Sequence, residues 1–429
     1  MILRWLFSKT VRDAVAMRQH VQRLLHAQRD LLSPQAVGAV TLAINELRTA
    51  TREGASMGRI RIKTEELQFA ANKWLKPYPN PVWRENVEVL LVAIAVAMGI
   101  RTLFLQPFKI PTGSMQPTLY GVTSTPDFTR VNFFADNEAK LRAEYARQVN
   151  LEKSLVIPPF WERVKRWFQG ISYIHVVAKA DGVIDRISPM QHFLIFNIKQ
   201  TIWIGGVPHT IWFPPDLGES PARYLTPLAV RAGFELDPDR VYHKGEDVVK
   251  MRVHAGDHLF VDRLTYNFRL PRRGEIIVFE THGIANMAPR DQDTFFIKRL
   301  VALPGDRVQI GDDRHLIING RRLTGQTPHF ANIFSFKPNQ PPRDSHYSGY
   351  LNGAMAVKYD ILPGLKLAPL FPDAQAVFTN GDDTYMVMGD NTVDSLDSRS
   401  WGPFPTKNVI GKSFFVYWPI TRRFGWANE

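Results

Sequence analysis

The segment Pro111–Leu119 holds a serine in a turn that could expose its hydroxyl group. Ser114 lies between Gly113 and Met115 in the sequence PTGSMQPTL. A serine hydroxyl acts as a nucleophile only when a nearby base takes its proton. A lone serine beside a glycine is far more often part of an ordinary turn, so this segment predicts a catalytic site only if the chain also offers a base.

A lysine can be that base if its pKa is lowered. Lys298 lies in the run FFIKRLV, where strand alternation puts its side chain on the same face as Phe296 and Leu300. Burial on an apolar face disfavours the ammonium form, and a neutral amine near pH 7 can act as a general base. The ordinary alternative is a surface lysine whose stem lies along apolar side chains while its amine reaches water. The strand pattern does not decide between the two.

Metal and thiol chemistry are not predicted. The chain contains no Cys, which excludes thiol nucleophiles, disulfide frameworks and zinc fingers. Its 12 His include no HExxH motif, so a zinc peptidase of that type is not supported. The acidic run Asp390, Asp394 and Asp397 lacks the glycine and the terminal glutamate of an EF-hand loop. We therefore expect no metal and no cofactor.

Four segments occur in order along the chain: FLQPFKIPTGSMQPTL, RRGEIIVF, IKRLVALPGD and GDNTVDSLDSRSWGPFP. Together with an apolar segment just before the serine, they resemble the boxes of bacterial type I signal peptidases (leader peptidases). The resemblance implies a membrane-anchored serine endopeptidase that removes N-terminal signal peptides from exported preproteins. It also implies a substrate cleft for small residues at the −3 and −1 positions.

The resemblance assigns the catalytic roles. It implies that Ser114 is the nucleophile and that Lys298 is its general base. It implies that the Thr112 hydroxyl and the Ser114 N–H form the oxyanion hole. The family usually has Ser where Thr112 stands, but Thr keeps the hydroxyl, so this role is still expected.

Supporting roles fall in the last of the four segments. The resemblance implies that Ser395 orients the lysine and that Asp397 and Arg399 form an ion pair that shapes the site. Two departures from the family pattern stand nearby. Glu275 replaces the usual Asp, and Thr392–Asp394 replaces the usual Arg-Asp-Asn, which leaves the local salt-bridge network open.

The apolar segment before the serine is long enough to cross a membrane. Val87–Leu105 has 19 residues, which span about 28 Å as a helix, close to a hydrocarbon core of roughly 30 Å. Glu88 and Arg101 lie near its ends, where long side chains can reach the headgroups. We expect Pro107 to end this helix. The charge-free part, Val89–Ile100, is short enough to be a buried core helix instead.

The N-terminal arm is basic. Residues 1–85 carry 14 Lys or Arg against 7 Asp or Glu, a net charge of +7. An excess of positive charge before a membrane segment predicts a cytoplasmic N-terminus and an extracytoplasmic catalytic domain on the cytoplasmic membrane. We therefore expect this arm to meet a phospholipid surface and not a nucleic acid.

The arm is predicted to be helical. Apolar residues recur near helical spacing at Ile2, Leu3, Leu6, Phe7, Val11 and Val15. Leu31–Asn45 is an uncharged stretch, but it contains Pro34 and Gly38 and is too short to span. An interfacial or self-packed helix is favoured there, and a second membrane segment stays open.

With 429 residues the chain exceeds one ordinary domain. After residue 108 short strand-like runs dominate, and Asn319-Gly320 predicts a two-residue hairpin. We predict a mainly β fold: an antiparallel signal-peptidase-type catalytic domain with an inserted α+β lobe, preceded by a helical arm and one transmembrane helix. The predicted boundaries are 1–85 for the arm, 86–107 for the transmembrane helix, 108–120 with 253–429 for the catalytic domain, and 121–252 for the insert.

The role of the insert is open. Apolar residues at helical spacing, with basic residues between them, suit either a helix on a membrane surface or a helix packed on the core. The apolar positions are Phe160, Trp161, Val164, Trp167, Phe168 and Ile171.

Two other functions compete with the peptidase. One is a Ser–Lys peptidase of the self-cleaving repressor type, which the apolar span argues against. The other is a catalytically inactive, membrane-anchored binding protein on the same fold, which the competent polar residues argue against. The oligomeric state is not predicted.

Overall fold

The chain forms two units in the computed structural model, Met1–Ala95 and Val96–Glu429. The structure describes residues 8–76, 81–129, 131, 137–193, 196–218, 225–337, 340–342, 347–359, 361 and 370–427. The positions Ile2, Leu3, Leu6 and Phe7, which the sequence analysis assigned to a helix, lie outside the described residues.

Three helices make up most of the first unit, and a serine caps the N-terminus of each. They are α1 (Lys9–Gln28), α2 (Pro34–Arg52) and α3 (Met57–Trp74), capped by Ser8, Ser33 and Ser56. Val40, Leu47 and Leu67 are fully buried between them. The predicted helical arm is confirmed, and residues 34–45 of the uncharged stretch belong to α2, which packs within this arm.

One of these caps lies in a sequence that imitates an active-site motif. Gly54–Gly58 fits the GxSxG pattern of hydrolase elbows. The Ser56 hydroxyl, however, accepts the Arg59 N–H at 3.4 Å at the start of α3. The segment connects two helices rather than a strand and a helix, so it is a helix cap and not a nucleophile elbow.

Helix α4 (Pro81–Leu103) contains a stretch, Glu85–Leu103, that is long and apolar enough to cross a membrane. None of this stretch is buried, and Leu91 is 61% exposed. A core helix of a soluble protein would be mostly buried, so the alternative of a buried core helix is not supported. The helix ends earlier than the predicted Pro107, because Leu105–Lys109 pairs with His258–Asp262 as a strand.

The second unit is built on antiparallel strands. Those that the structure describes are β1 (Leu105–Lys109), β2 (Thr123–Thr125), β3 (Ile171–Val177), β4 (Ile184–Ile187), β5 (Gln191–Phe193), β6 (Phe196–Ile204), β7 (Val207–Trp212), β8 (Asp247–His254), β9 (His258–Asp262), β10 (Ile276–Glu280), β11 (Phe295–Ala302), β12 (Arg307–Ile310), β13 (Leu316–Ile318), β14 (Arg321–Arg322), β15 (Val377–Thr379), β16 (Thr384–Met388), β17 (Phe404–Pro405), β18 (Val409–Trp418) and β19 (Gly425–Trp426). The β-rich antiparallel fold class is confirmed.

The largest sheet has eight strands in the order β1-β9-β18-β10-β11-β16-β17, with β19 paired to β18. Both faces of this sheet are covered by apolar side chains. Ile276 and Val278 of β10 belong to one buried cluster, and the alternating Ile277 and Phe279 belong to another. A strand next to β10 therefore has little access to water on either face.

Three smaller sheets complete the described strands: β14-β13-β12-β15, β2-β8-β3, and β4-β6-β5 with β7 paired to β6. The predicted hairpin is confirmed, since Ile318 pairs with Arg321 across the turn. Asn319 and Gly320 have φ values of 52° and 77° there, as a two-residue turn of the hairpin type requires.

The predicted insert contains both helices and strands. Its helices are α5 (Glu138–Ser154), α6 (Phe160–Phe168) and α7 (Pro227–Ala232), and its strands run from β2 to β8. The two ends of the segment meet, because Thr125 pairs with Arg252. The domain boundaries given above stay a prediction. In the part of the second unit that the structure describes, the short helices outside the insert are α8 (Thr265–Phe268), α9 (Gly353–Lys358) and α10 (Ser398–Trp401).

Candidate active site

Ser114 lies in a single helical turn, Gly113–Met115, that follows β1. The Met115 side chain is fully buried and anchors the turn in the core. A distant segment holds it from the other side. The Asn391 N–H donates to the Ser114 carbonyl oxygen at 3.1 Å, and Asn391 Nδ2 donates to the Gly113 carbonyl oxygen at 3.0 Å.

Gly389 completes this contact because no side chain fits at its position. A Cβ atom there would lie 2.4 Å from the Ser114 carbonyl oxygen and 2.1 Å from the Ser395 Oγ. Real Cβ atoms essentially never make nonbonded contacts this short, so the strand end at Gly389 can approach the serine turn this closely only as glycine.

Lys298 meets the serine from β11. It lies opposite Ile277 of the neighbouring strand and is 4% exposed. Its Nζ is hydrogen bonded to the Ser114 Oγ. The same nitrogen lies 5.6 Å from the centre of the Phe296 ring, which agrees with the shared strand face expected from the sequence. Leu300 and Phe296 belong to the apolar cluster that contains Ile277.

This apolar environment changes the acidity of the lysine. Burial lowers the pKa of Lys298 from 10.5 to about 8, because desolvation penalises the ammonium form. The Asp397 carboxylate acts in the opposite direction, and the Arg399 guanidinium reinforces the lowering. An amine with this pKa is half neutral near pH 8 and can accept a proton from a hydroxyl that is hydrogen bonded to it.

Thr112 stands two residues before the serine. Its Oγ1 lies 3.4 Å from the Ser114 Oγ, so the two hydroxyls share one side of the turn. The Thr112 backbone is fixed by a close contact with Gly121, where a Cβ atom would lie 2.0 Å from the Thr112 carbonyl oxygen. The structure therefore brings a hydroxyl donor next to the atom that would attack a carbonyl.

Asp397 and Arg399 form an ion pair that is buried from solvent. Nε of Arg399 is 2.9 Å from Oδ1 of Asp397, and Nη2 is 3.0 Å from Oδ2. The same carboxylate accepts the Gly389 N–H at 2.9 Å. Burial alone would raise the pKa of Asp397, but the Arg399 guanidinium and the Gly389 N–H outweigh it and hold the pKa below its usual value.

The replacement at Thr392–Asp394 leaves this ion pair intact. Arg399 Nη1 donates to the Thr392 carbonyl oxygen at 2.9 Å. Because the acceptor is a backbone atom, the contact does not depend on which side chain stands at position 392. Glu275, the other departure, accepts hydrogen bonds from Arg269, from the Arg272 N–H and from the Tyr266 hydroxyl.

Ser395 is brought to the same region but does not make its expected contact. It is buried against Gly389, and its Oγ has no hydrogen-bond partner among the described residues. The hydrogen bond to Lys298 that the resemblance implies is therefore not formed in this arrangement. Its orienting role stays a prediction.

A second buried ion pair escaped the sequence analysis. Arg299 Nε lies 2.8 Å from Asp390 Oδ1, and Arg299 Nη2 lies 2.6 Å from Asp390 Oδ2. The Thr118 hydroxyl donates to the same carboxylate, and Arg299 Nη1 donates to the Gly274 carbonyl oxygen at 2.7 Å. The available signal was a strand that carries adjacent charged residues among apolar ones, since a buried charge requires a partner.

Among the described residues, no group of three or more His, Asp or Glu side chains is placed to hold a metal ion.

Comparison with known proteins relates part of this chain to one family. The family described as "Signal peptidase, peptidase S26" matches residues 242–418. The chain is similar to the type I signal peptidases. The matched stretch contains Lys298, Ser395, Asp397 and Arg399, and it begins after Ser114 and Thr112.

Individual signal peptidases show the same relationship. The signal peptidase I of Leptolyngbya laminosa is 29% identical over 171 residues, which cover 40% of this chain and 64% of that protein. The signal peptidase I of Pseudomonas fluorescens is 30% identical over 195 residues, which cover 40% of this chain and 62% of that protein. The probable thylakoidal processing peptidase 2 of Arabidopsis thaliana is 30% identical over 168 residues, covering 39% and 35%.

The similar region covers only part of this chain and only part of these relatives. The chain spans a little under two thirds of the length of the first two signal peptidases named. A crystal structure of a signal peptidase I from Enterococcus faecalis is 26% identical and covers 34% of this chain and 97% of its own, with a TM-score of 0.23.

Proposed function

We propose that this chain is a membrane-anchored serine endopeptidase that cleaves N-terminal signal peptides from exported preproteins with a Ser114–Lys298 dyad. The observation that carries the proposal is the hydrogen bond between the Ser114 Oγ and the Nζ of a buried lysine. The similarity to signal peptidases supplies the substrate class.

In the proposed acylation step, neutral Lys298 accepts the Ser114 proton as Oγ attacks the scissile carbonyl carbon. An Oγ–C bond forms, and the carbonyl oxygen becomes an oxyanion. The Thr112 hydroxyl and the Ser114 N–H stabilise this oxyanion, a contribution of about 2.7–4 kcal/mol per donor. The lysine ammonium then returns the proton to the leaving amine as the peptide bond breaks.

Deacylation uses the same groups. The Lys298 amine, neutral again, takes a proton from a water molecule that attacks the acyl-enzyme carbonyl. The bond between Oγ and the acyl carbon breaks, and Oγ regains a proton from the lysine. The cleaved signal peptide then leaves with a free C-terminal carboxylate. Both steps need the low lysine pKa that burial produces.

The anchoring part of the proposal rests on the apolar stretch Glu85–Leu103 and on the +7 arm. Positive charge before a membrane segment favours a cytoplasmic N-terminus. The catalytic unit would then lie on the extracytoplasmic face of the cytoplasmic membrane, where emerging preproteins arrive. Protease added outside spheroplasts should digest the catalytic unit and spare a tag at residue 1. Digestion of that tag from outside would contradict this topology.

The catalytic proposal is tested with the full chain in phospholipid vesicles and one preprotein that has Ala at −3 and −1. The unsubstituted protein should release a mature product with one N-terminus, and Ser114→Ala should release none. Ser154→Ala, at an exposed serine at the end of α5, is the matched control and should cleave normally. Binding of the preprotein without cleavage by the unsubstituted protein would instead support an inactive binding protein.

A further inference from the structure

Helix α6 (Phe160–Phe168) contacts the fold through a polar side chain and at its C-terminal end, where the Phe168 carbonyl oxygen accepts the Ile420 N–H at 3.2 Å. Arg166 Nη1 donates to the Tyr173 hydroxyl of β3 at 2.5 Å, and Arg166 also pairs with Glu162 within the helix. No residue of this helix is buried. The side that faces the neighbouring strand therefore contains an arginine and its partner.

Most of the apolar side of the same helix is open to solvent, although Trp167 at one edge of it contacts Trp418 of β18, with the ring centres 6.2 Å apart. At about 100° per residue, its five apolar side chains fall within an arc of roughly 120°. Their exposed fractions are 59% for Phe160, 79% for Trp161, 37% for Val164, 53% for Trp167 and 53% for Phe168. An amphipathic helix of a soluble protein normally turns this stripe toward the core. Of the two alternatives that the sequence left open for this helix, packing of the whole apolar stripe on the core is therefore not supported.

The charges around this face match an anionic lipid surface. On the same helical projection, Arg163 borders one edge of the apolar arc and Lys165 borders the other. Both side chains are exposed, and neither forms an ion pair with the described residues. Long basic side chains at the border of an aromatic face can reach phosphate groups while the rings enter the interface. Two tryptophans on the face suit the same depth.

We propose that α6 is an interfacial helix that docks in the plane of an anionic bilayer. It would be a second membrane contact, made by the insert and separate from the apolar helix α4. The segment lies outside residues 242–418, which match the signal peptidase family. The inference depends on a membrane location but not on peptidase activity, and its test reads position rather than cleavage.

The absence of Cys from the chain permits a direct test. Three single-cysteine variants of the full chain, Trp161→Cys, Arg142→Cys and Ile94→Cys, each carry a fluorophore in phosphatidylcholine vesicles with phosphatidylglycerol. We expect shallow nitroxide lipids to quench the label at position 161 and iodide to lose access to it. The label at position 142, on the exposed side of α5, should show the reverse. The label at position 94 should be quenched by deep nitroxide lipids.

The label at position 94 separates failure of the anchor from failure of the docking. If position 94 is quenched by lipid while position 161 stays open to iodide, the proposal is wrong. Shielding of position 161 that appears in detergent and rises with protein concentration would indicate a second copy of the chain on this face and would also overturn it.

The contribution of the two basic side chains to docking can be tested by removing their charges. Arg163→Gln and Lys165→Gln should each lower the docking equilibrium at position 161 about fivefold, which corresponds to the ~1 kcal/mol that a basic residue contributes at an anionic surface. Lys153→Gln, at an exposed lysine of α5, is the matched control and should have no effect. Equal docking in vesicles without phosphatidylglycerol would contradict the role of these cations.

Discussion

Arg299 and Asp390 form a two-point ion pair that is buried immediately beside Lys298 in β11. Removing one partner leaves an uncompensated charge in the interior, which typically costs about 3–5 kcal/mol. We expect Asp390→Asn to lower the melting temperature of the purified protein strongly. The double variant Arg299→Met/Asp390→Leu should recover much of the loss, because neither charge remains. A single variant as stable as the parent would show that the pair is not needed.

The general-base role predicts that Lys298→Arg is inactive. A guanidinium group stays protonated near neutral pH and cannot take the Ser114 proton. The measurement is kcat/KM on a signal-sequence peptide, with circular dichroism to establish that the variant is folded. Lys412→Arg, at a half-buried lysine of β18 two strands away from Lys298, should keep its activity. Robust cleavage by Lys298→Arg would remove the lysine from the mechanism.

Activity should depend on pH through the lysine. The free amine is the active form, and burial lowers its pKa to about 8, so kcat/KM should rise with pH through that value and level off in mildly alkaline solution. A rise of kcat/KM near pH 4 instead would indicate that a carboxylate is the base.

The free energy of unfolding should also depend on pH through Lys298. The folded pKa lies below the unfolded one, so the unfolded chain binds the proton more readily and the destabilising contribution is fully present below pH 8. It diminishes as the pH rises from 8 toward the unfolded pKa of 10.5. The stability difference between the parent and Lys298→Met should therefore narrow over this range. A difference that does not change with pH would show that the buried amine is not responsible.

The proposed oxyanion role of Thr112 can be tested with two substitutions, one that removes the hydroxyl and one that keeps it. Thr112→Val keeps the branched side chain but removes the donor, so kcat should fall by about 10²–10³-fold. Thr112→Ser keeps the hydroxyl and should stay close to the parent. If the valine and serine variants are equally active, the donor lies elsewhere.

Because Gly389 approaches the serine turn closely, a larger residue at position 389 should lower the activity although it does not touch the substrate. Gly389→Ala would push its methyl group into the Ser114 carbonyl oxygen and Ser395, and a displacement of about 1 Å at a reacting group can cost 10²-fold in rate. Gly58→Ala, where no atom lies within 4 Å of the added carbon, is the control. Normal kcat in Gly389→Ala would mean that the turn tolerates the shift.

Local pattern and resemblance were sufficient for several features of the fold and the site. Strand alternation predicted that Lys298 shares a face with Phe296, and Asn319-Gly320 predicted its hairpin. Both depend on neighbours within a few residues. The proximity of Ser114 and Lys298 could come only from the resemblance, since no spacing rule relates residues that are 184 positions apart.

Features that depend on tertiary partners could not be read in this way. Alternation assigns Arg299 to a face but does not identify Asp390 across 91 residues. Helix α4 ends at Leu103 because β9 pairs with the following residues, and that competition is invisible in the apolar pattern. For α6 the sequence located the apolar stripe, whereas only the contact between Arg166 and Tyr173 revealed which side faces outward.

The separation of 184 residues between Ser114 and Lys298 has a consequence for the newly made chain. Closing a long loop costs conformational entropy that grows by about 0.6 kcal/mol with each doubling of its length, so contacts of this kind form late in folding. Until β11 is built into the central sheet, the serine has no base beside it and the lysine keeps its ordinary affinity for a proton. Under the proposed mechanism, a nascent or misfolded copy therefore carries an inert hydroxyl, and proteolytic competence is expected only in molecules that have completed their fold.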